Sequence, residues 1–123
     1  MSEVDTLDQA ALADLRAMTG DDPAFLGELI DTYVADMPQQ LAAIRRALEV
    51  GDAEAVRRAA HSLKSNSATF GAATLAGLGA QIEARGKGGE LAGTDELVAR
   101  AEAEYDLVKR ALRALQAAGE PGA

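Results

Sequence analysis

Val56-Arg57-Arg58-Ala59-Ala60-His61-Ser62-Leu63-Lys64-Ser65-Asn66-Ser67-Ala68-Thr69-Phe70 is the stretch that decides how this chain folds. An α-helix turns each residue by about 100° from the last. On that count Val56, Ala60, Leu63, Ser67 and Phe70 fall within roughly 40° of Val56, so the stretch predicts an amphipathic helix with one core face. His61, the only histidine of the chain, lies roughly 140° round from Val56 and points outward. Arg57, Arg58, Lys64, Ser65 and Ala68 share its side.

The flanking residues set the limits of this helix. Gly51-Asp52 supplies a stop and an N-cap, and Gly71 is placed to end the helix after Phe70, giving a span of about 53–70. Upstream, Asp22-Pro23 gives an N-cap followed by proline at the first helical position. The apolar stripe that follows is Phe25, Leu26, Leu29, Ile30, Tyr33, Met37, Leu41, Ile44 and Leu48. It stays in phase across Pro38 and so predicts one helix over 23–50, kinked near Pro38. Thr6-Leu7-Asp8-Gln9 has the form of a capping box, and Leu7, Ala11, Leu15 and Met18 follow it, which predicts a short helix over 7–19 ended by Gly20.

Downstream, Leu75, Leu78, Gly79 and Ile82 predict a helix over 72–85. The glycines at 86, 88, 89 and 93 read as a flexible loop from Arg85 to Gly93. Thr94-Asp95-Glu96 supplies an N-cap and two acids for a last helix over 95–117, whose stripe is Leu97, Ala101, Tyr105, Val108, Leu112 and Leu115. The tail 118–123 is expected to fray. Long amphipathic helices with short connections predict an all-α chain: one domain over 1–123, an antiparallel four-helix bundle with a short accessory N-terminal helix.

Composition agrees and excludes much else. Apolar residues make up 48%, dominated by Ala, Leu and Val, with no tryptophan and no cysteine. Thiol chemistry and zinc-finger spacing are therefore out. A formal net charge of -8 argues against nucleic acid or anionic lipid as the main partner. No apolar run approaches a membrane span and no signal-peptide pattern opens the chain; without cysteine the redox compartment is not readable, and cytoplasm is the default expectation. The Met1 start and short termini are what a stand-alone protein would show, and a monomer is the default state. No second histidine or tight acidic set joins His61, which argues against a metal site.

On its angle alone His61 reads as a solvated surface histidine. Two features qualify that reading. The residues next to it on the helix face, Ser65 and Ala68, are small enough to let a partner approach. Three cations flank it in a strongly acidic chain. Neutral imidazole is also the natural group for covalent chemistry near neutral pH.

Ala60-His61-x-Leu63-Lys64-x-x-Ser67-x-x-x-Gly71-Ala72 resembles the histidine-containing phosphotransfer (HPt) family of phosphorelays, and the helix order extends the likeness over most of the chain. The resemblance implies a phosphorelay intermediate. His61 would take a phosphoryl group on Nε2 from a receiver-domain aspartyl phosphate and pass it to another receiver aspartate. Lys64 would neutralise phosphoryl oxygens during in-line transfer. Arg57 and Arg58 would add a positive field that draws in an acidic receiver pocket, or would be plain surface charge. Ser65 and Ala68 would form part of the docking face. Ser67 points inward, for packing and hydrogen bonding.

The chain departs from the family pattern twice. Ser65 stands where glycine is usual, and Glu83 stands where many relatives place a glutamine that orients the imidazole. Glu83 is either an orienting acceptor for Nδ1–H or an exposed helical glutamate, and the sequence favours neither. The implied partners are response-regulator receiver domains and a hybrid histidine kinase. The implied cofactor is none of its own, with magnesium held by the receiver. With no P-loop and no kinase-type glycine loop, autonomous kinase activity is not expected. A helical module that binds a receiver or kinase without carrying phosphate is the alternative.

Overall fold

The computed structural model describes residues 6–119. Five helices make up most of it: α1 (Gln9–Met18), α2 (Pro23–Val50), α3 (Ala53–Thr69), α4 (Ala73–Gly88) and α5 (Thr94–Gly119). There is no strand among the described residues. The four long helices contact one another in a ring, α2 with α3, α3 with α4, α4 with α5 and α5 with α2, while α1 rests on α3. Among the described residues no helix is long and apolar enough to cross a membrane.

Three helices begin on an aspartate. Asp8, Asp22 and Asp52 each accept a backbone N–H of the first turn, from Ala10, Ala24 and Ala55 at 3.0–3.1 Å. The carboxylate satisfies one orphan donor and meets the positive end of the helix dipole. The cap of α1 is therefore Asp8 and not Thr6 of the expected capping box. Asp8 is held in an extended conformation, its own N–H bonded to the Gly71 carbonyl at 2.7 Å, so the helix can only start after it.

Gly71 does more than stop α3. It takes the left-handed conformation (φ 77°), Ala72 N–H bonds Ser67 O at 2.8 Å and Gly71 N–H bonds Ala68 O at 3.1 Å, which together form a Schellman cap. A Cβ on Gly71 would meet the Asp8 carbonyl at 2.8 Å, so the same residue lets the start of α1 seat on the end of α3. The same pair of bonds closes α2 at Gly51 and α4 at Gly89.

The core collects Ile30, Tyr33, Met37 and Ile44 from α2, Val56, Ala60 and Leu63 from α3, Leu75, Leu78 and Ile82 from α4, and Val98, Val108 and Leu112 from α5. All five residues of the predicted face of α3, Val56, Ala60, Leu63, Ser67 and Phe70, are buried. Two buried polar contacts fix helix positions: Tyr105 OH donates to Val34 O at 2.8 Å, and Tyr33 OH shares a hydrogen bond of 2.8 Å with Ser67 Oγ.

Some expectations fail, each for a physical reason. Helix α4 runs on through Arg85-Gly86-Lys87-Gly88, and only Gly89–Gly93 is left as a connection. Gly86 is buried against the backbone of α3, and that packing overrides its poor helix propensity. The last helix runs on through Ala118 to Gly119, where fraying was expected; its final turns are tied to α2 by Gln116, which donates to Gly27 O at 3.0 Å. Residues 120–123 of the expected tail lie outside the described residues.

Thr94 does not cap α5. It is the first helical residue, and its buried hydroxyl has no partner among the described residues. Met18 and Phe25, counted into core stripes, are 74% and 45% exposed. Helix α1 packs on α3, and Leu12 and Leu15 are its buried residues.

Candidate functional site

The site lies where α3 and α4 press together. His61 and Lys64 come from α3, one turn apart, and Glu83 comes from α4. Leu63 and Ala60, fully buried on the opposite side of α3, hold the helix in a rotation that turns His61 outward, with its side chain 57% exposed. Glu83 is buried, its side chain 8% exposed, although it is a carboxylate. It tolerates burial because both oxygens are used. Oε2 lies 2.7 Å from His61 Nδ1, and Oε1 lies 2.6 Å from Lys64 Nζ.

The electrostatics follow from that bridge. The hydrogen bond from Lys64, and then that from His61, hold the Glu83 carboxyl below the usual glutamate range, against burial, which pushes the other way. Glu83 is thus ionised at neutral pH and can only accept. The proton in the contact belongs to Nδ1 of His61, and the lone pair of the neutral ring belongs to Nε2. A half-exposed imidazole in that tautomer keeps a nucleophilic lone pair on Nε2, the ring nitrogen not bonded to Glu83. The reading of Glu83 as an exposed helical glutamate does not survive this geometry.

The other candidate residues are placed differently. Arg57 does not offer a free charge to a partner, because its guanidinium is bonded to Glu54 one turn back on α3, with Nε donating to Glu54 Oε2 at 3.0 Å. The expected positive field is weaker for it, and Lys64 too is matched by a carboxylate. Arg58, Ser65 and Ala68 are exposed on the outer side of α3. Ser67 is buried against Tyr33, away from the imidazole. Glu54 was not singled out from the sequence, yet its spacing of three from Arg57 on a helix was the available signal. Among the described residues no group of three or more metal-ligating side chains comes together.

Two comparisons with known proteins bear on the chain as a whole. The family model for the Hpt domain matches residues 28–118, which takes in α3, α4 and the whole of the site. The chain belongs to the Hpt domain family. Its fold is also similar to that of histidine-containing phosphotransfer protein B (HptB) from Pseudomonas aeruginosa PAO1, solved by crystallography. That likeness has a TM-score of 0.81 and 34% identity, and it covers 90% of this chain and 94% of that one. No curated protein matches the chain. An Hpt domain in an all-helical fold of this kind gives the protein a phosphotransfer role in two-component signalling, with receiver domains and kinases as the class of partner.

Proposed function

We propose that His61 is the phosphoacceptor of this Hpt protein, taking a phosphoryl group from the aspartyl phosphate of one receiver domain and passing it to the aspartate of another. The observation that carries the reading is the bond from His61 Nδ1 to the buried Glu83 carboxylate. In the transfer step Nε2 attacks phosphorus in line, the Nε2–P bond forms, and the P–O bond to the receiver aspartate breaks, releasing its carboxylate. The ring gains positive charge as the bond forms, and Glu83 stabilises it through Nδ1–H. Return of the phosphoryl group to a second aspartate reverses these changes.

Lys64 has the second role. Its ammonium group rests on Glu83 in the free protein and lies one turn from His61, within a side chain's swing of a phosphoryl group on Nε2. Ser65 and Ala68 leave room beside the imidazole for the receiver's loops, with Arg58 and, less strongly, Arg57 guiding an acidic pocket towards it. Magnesium, where the reaction uses it, belongs to the receiver. We read the frame as an antiparallel four-helix bundle with α1 as an accessory helix on α3, a reading supported by the ring of helix pairings.

The test is incubation with a phosphorylated receiver, following acid-labile label on the chain. Wild type should become labelled and lose the label to a second receiver, and His61→Gln should carry none. A labelled His61→Gln protein would overturn the assignment. Tight receiver binding by a wild type that never labels would instead make this a binding module.

A further inference from the structure

The backbones of α3 and α4 come into close contact at two glycines of α4, Gly79 and Gly86. A Cβ on Gly79 would lie 3.0 Å from the Lys64 backbone nitrogen and 3.1 Å from Lys64 Cα. A Cβ on Gly86 would lie 2.7 Å from the Arg57 backbone nitrogen and 2.9 Å from the Ala53 carbonyl oxygen. Both glycines are buried. Gly77 and Gly88, on the same helix, would meet nothing within 4 Å. Glycine weakens a helix interior, so only a gain elsewhere explains it there. At Gly79 and Gly86 that gain is contact between helix backbones; nothing in the structure explains Gly77 or Gly88.

Glu83 falls between these two contacts on the same face of α4, one turn after Gly79 and one turn before Gly86. Its carboxylate spans to both His61 Nδ1 and Lys64 Nζ at hydrogen-bond distance. The fit has little slack. Hydrogen bonds of this kind weaken quickly once the heavy atoms part by more than a few tenths of an ångström, and a methyl group on Gly79 pushes directly on the backbone of Lys64.

We propose that Gly79 and Gly86 are positioning residues for the site: they let α4 seat on α3 backbone to backbone, which holds Glu83 on His61 and so fixes the proton on Nδ1 and the lone pair on Nε2. The effect on transfer rests on the reading of His61 as the acceptor, whereas the effect on the imidazole does not.

Nitrogen-15 NMR of the single histidine, at a pH where it is neutral, reads which ring nitrogen carries the proton. Wild type should be Nδ1-protonated. Gly79→Ala should acquire a clear Nε2-protonated population and transfer phosphate roughly tenfold or more slowly, the scale of effect that small misplacements of reacting groups produce. Gly77→Ala, in open space on the same helix, should raise the melting temperature and leave both readouts unchanged. Because alanine also helps the helix at 77, the double variant Gly77→Ala/Gly79→Ala should stay folded and show the same change of tautomer. Wild-type ring-nitrogen signals in Gly79→Ala or in the double variant would overturn the proposal, as would failure of the double variant to fold, which would reduce Gly79 to a packing role. If wild type never labels while Gly79→Ala still changes the tautomer, the acceptor reading fails and the positioning role stands.

Discussion

Glu83 Oε2 sits 2.7 Å from His61 Nδ1, and the two side chains differ sharply in exposure, 8% for the carboxylate and 57% for the imidazole. A buried anion thus fixes the orientation of an exposed base. Glu83→Gln keeps an acceptor for Nδ1–H, but its amide nitrogen would face the Lys64 ammonium, donor against donor. Glu83→Ala removes both contacts. We expect transfer to fall by roughly tenfold to a hundredfold in Glu83→Ala, by the cost of misplacing a reacting group, and by less in Glu83→Gln. Rapid-quench kinetics with a phosphorylated receiver measures this, and equal rates in all three proteins would show that the contact has no part in the reaction.

The same carboxylate links stability to pH. Lys64 first, and His61 after it, lower the folded-state value of Glu83 below the ordinary 4.5. The sign follows from linkage: the contribution is complete above the unfolded value near 4.5 and is lost as pH falls through the lower folded value. Glu102, lowered by Arg45, adds in the same direction. Urea unfolding followed between neutral pH and about pH 3 should therefore show falling stability in acid. The fall should be shallower in Glu83→Gln than in wild type, and parallel curves would remove Glu83 from the account.

Lys64→Ala tests the other end of the bridge. The variant should fold, since Lys64 lies off the core face with its side chain 35% exposed. Glu83 would lose the partner that lowers it most, so its carboxyl should titrate at higher pH than in wild type. Transfer should slow by on the order of tenfold, the lower end of what loss of an electrostatic stabiliser costs. Carbon-13 NMR of the Glu83 carboxyl and the transfer rate check the two halves separately. An unchanged rate would mean that the ammonium serves only to neutralise Glu83.

What the sequence made legible is what neighbouring residues decide among themselves. The core face of α3, the outward turn of His61 and the aspartate caps at Asp22 and Asp52 all follow from spacing within one turn or two. The partnership of His61 with Glu83 does not, because 22 residues separate them and the contact exists only once α3 and α4 have packed. Gly86 misled for the same reason. Local propensity puts a glycine-rich stretch in a loop, whereas Gly86 is helical with the α3 backbone at Ala53 and Arg57 lying against it. Periodicity also marks a face without saying how much of it a neighbour covers: Met18 and Phe25 fall on apolar stripes by spacing, and both are exposed.

Leu63→Ala, two residues from His61, should act through stability alone. Leu63 is 0% exposed at the centre of the core, so truncation leaves a cavity and should cost about 2–5 kcal/mol. Chemical denaturation measures it. At a temperature where the variant is fully folded, its transfer rate should stay close to that of wild type, because the side chain points away from His61. A variant as stable as wild type would mean that the helix is rotated from the orientation described.

The hydrogen bond between Tyr33 and Ser67 offers a contrasting case, polar and buried but remote from the imidazole. The two hydroxyls share a hydrogen bond of 2.8 Å inside the core, and burial pushes the Tyr33 phenol well above its ordinary range. Ser67→Ala leaves that phenol buried without its partner, a loss of about 1–3 kcal/mol. Replacing both residues, Tyr33→Phe with Ser67→Ala, removes the unsatisfied group along with the bond. The double variant should therefore be more stable than Ser67→Ala alone, although it lacks one more polar atom. The order of melting temperatures decides the matter: wild type above the double variant, and the double variant above Ser67→Ala. If the double variant melts below Ser67→Ala, the Tyr33 hydroxyl has found another partner in the single variant. Transfer through His61 should be the same in all three, because Ser67 faces α2 and the site faces α4.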